Sequence, residues 1–95
     1  MLIEQKIERA RLSQSQQLIA DYLLEKRSNI KDMTIKELAV ATYTSTGTII
    51  RLAKKLGYHG YEDFKADFLK EVYYLDTHFK NIDPNFPFVK TDNIL

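Results

Sequence analysis

Residues 34–57 read Thr-Ile-Lys-Glu-Leu-Ala-Val-Ala-Thr-Tyr-Thr-Ser-Thr-Gly-Thr-Ile-Ile-Arg-Leu-Ala-Lys-Lys-Leu-Gly, and this stretch decides the fold. It divides into two short helices joined by a tight polar turn. Thr34 and Glu37 stand at capping-box spacing, so each side chain can bond the other's backbone N–H. The first helix then buries Ile35, Leu38 and Ala39 at helical spacing. The second opens at Ser45, a good N-cap residue, and buries Ile49, Leu52, Ala53 and Leu56. Gly57 ends it, because glycine takes the left-handed conformation that stops helices. Ala39, Gly47 and Ala53 are small where two helices must cross closely. This is the pattern of a helix-turn-helix.

The outer side of the second helix carries Ser45, Thr46, Thr48, Arg51, Lys54 and Lys55. Short hydroxyls at the leading end and cations further along suit a helix that enters a DNA major groove. The alternative is a solvated corner of a helical bundle that happens to be basic. The hydroxyl-rich turn, the small residues and the absence of acids from Tyr43 to Tyr61 weigh against it, since an ordinary exposed helix face mixes signs.

The 95 residues of the chain suffice for one core and are too few for two. A hydrophobic content of 44% separates it from disordered chains. No apolar run approaches the roughly 20 residues of a membrane span, and charges interrupt the N-terminal apolar positions, which argues against a signal peptide. The absence of cysteine removes disulfides and thiolate metal sites and fits a cytoplasmic protein. The net charge is only +1, but three cations without an acid occupy residues 43–61, whereas residues 76–95 hold three acids and two lysines. So small a total allows weak non-specific DNA affinity from one copy, and tight binding then calls for a dimer.

Five helical segments are legible and no strand is, so the expected fold is all-α: a five-helix bundle containing a wingless helix-turn-helix. Residues 2–9 form a short helix with Leu2, Ile3 and Ile7 as its apolar face. Ser13 and Gln16 make a second capping box, opening a helix to about Lys26 with Leu18, Ile19, Tyr22 and Leu23 as its stripe. Residues 28–33 connect, with Ile30 and Met33 turned inward. After Tyr58-His59-Gly60, a last helix over roughly Tyr61–Leu75 spaces Tyr61, Phe64, Phe68, Val72 and Leu75 three and four apart. From Asp76 the periodicity fades, and Pro84 and Pro87 stop any helix. The tail still carries Phe79, Ile82, Phe86, Phe88 and Val89, so it is expected to pack on something. The expected division is a domain over 1–75 and a linker or tail over 76–95.

Three runs together resemble the RpiR-like bacterial transcription regulators: Leu12-Ser-Gln-Ser-Gln-Gln-Leu-Ile-Ala-Asp-Tyr-Leu23, Thr34-Ile-Lys-Glu-Leu-Ala39 and the stretch from Ser45 through Gly57-Tyr58-His59-Gly60-Tyr61 to Lys65. The resemblance covers residues 1 to about 75. It implies an N-terminal helical DNA-binding domain followed by a sugar-isomerase-type domain that binds phosphosugars and is absent here, so residues 76–95 look like the start of an interdomain linker. Two positions depart from the pattern. The turn usually has glycine where this chain has Tyr43 (and a small apolar residue at Thr44), so Tyr43 either takes a positive φ at a cost of roughly 1–2 kcal/mol or the turn has another shape. Alanine is common where this chain has Gly47, which lowers helix stability by up to about 1 kcal/mol.

The DNA-binding candidates are Ser45, Thr46, Gly47, Thr48, Ile50, Arg51, Lys54 and Lys55. Arg51 can bond guanine O6 and N7 together, or else serves a phosphate or an ion pair with Glu37. Thr46 and Thr48 either reach base edges or a thymine methyl, or are first-turn residues only. Ser45 is a cap beside which backbone N–H groups can face a phosphate. Lys54 and Lys55 meet phosphates or solvent, and Ile50 a thymine methyl or partial burial. His59 and His78 have nothing around them at metal-ligand spacing. Glu62, Asp63, Asp67 and Glu71 read as an ordinary solvated face, and Tyr22, Tyr61, Phe64 and Phe68 as core aromatics. No nucleophile–base pair or phosphate loop is evident, so the expectation is a binding module, not an enzyme, without cofactor or membrane association. The competing reading is a helical protein–protein interaction module. One short recognition helix serves one half-site, so a homodimer built on the N-terminal helix, the tail or both is expected, acting on a double-stranded palindromic operator.

Overall fold

The computed structural model describes residues 2–80, with the side chains of 78–80 left aside. Its helices are α1 (Ile3–Arg9), α2 (Gln14–Lys26), α3 (Ile35–Ala41), α4 (Thr46–Lys55) and α5 (Tyr61–Lys80), with a 3₁₀ turn at Arg27–Ile30. Among the described residues there is no strand. The tail residues singled out above, Phe79, Ile82, Phe86, Phe88 and Val89, and His78, lie outside the described side chains.

Both capping boxes form. Ser13 Oγ accepts the Gln16 N–H at 3.2 Å while Gln16 Oε1 accepts the Ser13 N–H at 2.9 Å. Thr34 and Glu37 exchange the same pair at 3.1 and 2.8 Å. Each box satisfies two of the donors that a helix start leaves open. The core joins Ile3 and Ile7 of α1, Ile19, Ala20 and Leu23 of α2, Ile30, Leu38 and Ala39 of α3, Ile49, Leu52 and Ala53 of α4, Leu56, and Tyr61, Phe64, Phe68 and Val72 of α5. Phe64 stacks on Phe68 with centroids 5.8 Å apart, and Tyr58 meets Phe64 edge-on at 5.4 Å.

Three expectations need correcting. Leu18 is 49% exposed, while Gln16 is buried on the inward stripe with Ile19, Ala20 and Leu23. A glutamine can sit there because its amide oxygen is satisfied, by Ser13 and by Lys55. Next, α5 continues past Leu75 to Lys80. Asp76, on this added turn, pairs with Arg27 at 2.8 Å. Lastly, the acids of α5 are not merely solvated. Glu71 accepts the Ile3 N–H at 2.8 Å, Asp63 accepts the His59 N–H at 3.0 Å, and Asp67 accepts the Tyr58 hydroxyl. A carboxylate at the first N–H of α1 also opposes the positive end of that helix.

Candidate nucleic-acid interface

The turn between α3 and α4 is built by a hydrogen-bond pattern that closes α3 twice. The Tyr43 N–H donates to the Val40 carbonyl at 3.2 Å and the Thr44 N–H to the Ala39 carbonyl at 2.9 Å. These are the paired bonds of a Schellman end, which needs a left-handed residue between them. Tyr43 is that residue, at φ 57°. Buried Thr42 donates its hydroxyl to the Leu38 carbonyl at 2.8 Å and lies 2.8 Å from the Thr44 hydroxyl, which must therefore be the donor between them. The chain then extends at Ser45 and starts α4 in a fixed direction.

Ser45 Oγ caps α4, accepting the Thr48 N–H at 3.1 Å. The hydroxyls of Ser45 and Thr48 are 2.9 Å apart, and Arg51 Nη2 donates to Thr48 Oγ1 at 3.3 Å. Cap, hydroxyl and guanidinium thus form one polar chain up the outer side of the helix. A Cβ built on Gly47 would meet Arg51 Nη1 at 3.3 Å and Ser45 Oγ at 3.8 Å. Gly47 accordingly makes room for the folded-back guanidinium, not for the crossing with α3 as the sequence suggested. Ala39 and Ala53, both buried, remain the small residues of that crossing.

Arg51 and Lys54 are exposed, and among the described residues no carboxylate pairs with either. The Arg51–Glu37 pair is not formed; Glu37 is engaged with the Thr34 backbone. Ile50 is 37% exposed beside them, whereas Thr46 and Thr48 are half-buried. Lys55 stands apart from the group. Its ammonium donates to the Arg11 carbonyl and, at 3.1 Å, to Gln16 Oε1, so it joins α4 to the start of α2. That role was missed because Lys54 and Lys55 are neighbours in sequence but point about 100° apart on a helix.

The outer face of α4 from Ser45 to Lys54, borne on a crossed pair of short helices, is that of a helix-turn-helix DNA-binding domain of a transcription regulator. Comparison with known proteins agrees. The family described as the helix-turn-helix domain of the rpiR family matches residues 1–73, and the chain belongs to it. It is 40% identical over 57 residues to an uncharacterized helix-turn-helix-type transcriptional regulator of Providencia stuartii, covering 60% of this chain and 20% of that protein. A regulator of the same description from Clostridium perfringens is 32% identical over 60 residues, covering 63% and 22%. The chain thus spans about a fifth of the length of these relatives. Among solved structures, the Vibrio vulnificus NanR protein complexed with ManNAc-6P is similar at a TM-score of 0.67 and 30% identity, covering 83% of this chain and 30% of that one.

Proposed function

We propose that this chain is the DNA-reading part of a sequence-specific regulator that acts as a dimer and responds to a sugar phosphate. The observation that carries the reading is the outer face of α4, where Ser45, Thr48 and Arg51 are linked and no acid intervenes. In this reading α4 enters the major groove by its N-terminal half. Ser45 and the first amides of the helix face a phosphate, Thr46, Thr48 and Ile50 reach base edges or thymine methyls, and Arg51 grips guanine. Gly47 lets Arg51 swing and the backbone approach closely. Lys54 meets a phosphate, and the ammonium of Lys55 holds α2 against this end of α4.

Binding measured on an operator and on random duplex tests this. Arg51→Ala should lose ~1–3 kcal/mol on the operator and little on random DNA, and Lys54→Ala should weaken both alike. Equal losses from Arg51→Ala on both would make Arg51 a phosphate contact. Absence of any salt-sensitive duplex binding would favour a protein-docking bundle instead.

The remaining parts of the reading have separate support. α4 has 10 residues and is about 15 Å long, enough for one half-site, so a palindrome requires two copies with helices about 34–36 Å apart. Exposed Leu2 and Tyr74, with both signs of charge beside them at Asp67, Lys70 and Glu71, offer an apolar and charged surface for such a pair. The ManNAc-6P bound in the NanR complex, and the greater length of the relatives, support an effector domain following residues 76–95. Action on DNA in bacteria implies the cytoplasm, and the chain works there as a binding module, not an enzyme.

A further inference from the structure

The bond from Lys55 to the Arg11 carbonyl brings together the two longest acid-free runs of the chain. Residues 9–20 and residues 38–61 contain no Asp or Glu, and the joint between α1 and α2 lies in the first while α4 lies in the second. Lys55 fixes the joint from both sides, bonding the Arg11 carbonyl and the buried amide of Gln16, whose oxygen also takes the Ser13 N–H. Arg9 and Arg11 are exposed there, and among the described residues neither has a carboxylate partner. Among the acids of α1 and α5, Asp67 accepts the Tyr58 hydroxyl and Glu71 the N–H of Ile3, while Glu8 immediately precedes Arg9.

We propose that the α1–α2 joint is a second contact to the DNA phosphate backbone, made by Arg11 with Arg9 beside it and held in register with α4 by Lys55. It rests on the reading of α4 as the groove-bound helix. Lys55 stands one turn, about 6 Å of helix rise, beyond Arg51, so the joint it holds lies toward the C-terminal end of α4. That offset suits a phosphate flanking the groove and not a base edge. A guanidinium fork matches phosphate oxygens in a way an ammonium does not. Lys55 is here a positioning residue: its ammonium donates to two neutral oxygens of the joint, and its effect on DNA passes through Arg11.

The test uses the whole chain and a mixed-sequence duplex of about three helical turns, with affinity followed through a salt series. Arg11→Gln should flatten the salt slope by about one unit, and Arg9→Gln combined with it by up to about two. Arg11→Lys should keep the wild-type slope while binding more weakly. Lys55→Met keeps the stem but loses the donors; it should flatten the slope about as much as Arg11→Gln, and the two together should do no more than either alone. An unchanged slope in Arg11→Gln, beside a flattened one in Lys54→Gln, overturns the second contact and leaves the α4 reading standing. Additive effects of Lys55→Met and Arg11→Gln overturn the positioning role. If the wild-type chain binds no duplex at low salt, the α4 reading falls and this contact with it.

Discussion

The ends of α3 and α4 are the same turn built on different residues. At the end of α4 the Gly57 N–H reaches the Lys54 carbonyl at 3.0 Å and the Tyr58 N–H reaches the Ala53 carbonyl at 2.9 Å, matching the bonds made by Tyr43 and Thr44 one helix earlier. Gly57 sits at φ 101° and Tyr43 at φ 57°. Glycine reaches the wider angle freely, whereas a tyrosine is confined to the narrow left-handed well and is strained even there. The residue after each left-handed position differs too. The Tyr58 side chain packs on Phe64, under Lys6 and against Asp67, while the Thr44 hydroxyl bonds Thr42. Backbone hydrogen bonds therefore specify the turn, and the side chain at its centre is free to serve another purpose at some loss of stability. At Gly57 nothing is displaced, since a Cβ there would meet no atom within 4 Å. At Tyr43 the ring is 93% exposed and returns no packing for its strain.

Four substitutions break or sharpen that contrast, and chemical denaturation reads the first three. Gly57→Ala should lose ~1–2 kcal/mol, all of it backbone strain because the space is open. A neutral result would show that the turn can narrow toward the angle seen at Tyr43. Tyr43→Gly should gain roughly 1 kcal/mol, since strain is relieved and no burial is lost. A loss would mean that the exposed ring contributes contacts in solution. Tyr43→Asn should gain about half as much, because asparagine tolerates the left-handed well without the flexibility of glycine.

For the last substitution, Tyr58→Phe, the comparison lies in how stability changes at high pH. Burial, then the hydrogen bond to Asp67 and the negative charges of Asp67, Glu71 and Asp63, hold the Tyr58 hydroxyl protonated well above its ordinary range. Tyr61 is pushed up to about 12, by burial first and then by Glu62 and Glu37. A raised folded pKa means that the unfolded chain releases its protons first as pH climbs past about 10, so stability is intact below that pH and declines above it. Melting temperatures followed from pH 9 to 12 should fall less steeply in Tyr58→Phe than in the wild type, with Tyr61 accounting for the rest. Equal slopes would show that Tyr58 ionises as readily in the fold as out of it.

What could be read ahead of the structure was local. Capping boxes at Ser13–Gln16 and Thr34–Glu37, the buried stripe of α4 and the stop at Gly57 all depend on residues within a turn or two of one another, and each formed. Tyr43 stood out only through the resemblance to the family, whose turn usually has glycine there. What escaped was decided by distant chain. The inward turn of Gln16 needed Lys55, the length of α5 was supported at Asp76 by Arg27, and Glu71 found its use only once α1 lay beside it. Hydrophobic periodicity ranks side chains by polarity and cannot see a partner on another helix, so it admitted Leu18 and rejected Gln16. On α4 the spacing put Ser45, Thr48 and Arg51 on one side, and hydrogen bonds link them there. It did not separate Lys54 from Lys55, whose ammonium turns to the Arg11 carbonyl and Gln16.

The bond between the Ile3 N–H and the Glu71 carboxylate also bears on the order in which the molecule assembles. α1 has seven residues, too few to be helical alone in water. Its anchors, Glu71 and the Lys6–Tyr58 contact, come from the far part of the chain. Contacts so distant in sequence close late, after the shorter loops that join α2, α3 and α4. The N-terminal helix is thus the last piece to form and the first to open. Its amides should exchange with solvent ahead of those in α2 and α4, which gives this small domain a seam where unfolding begins.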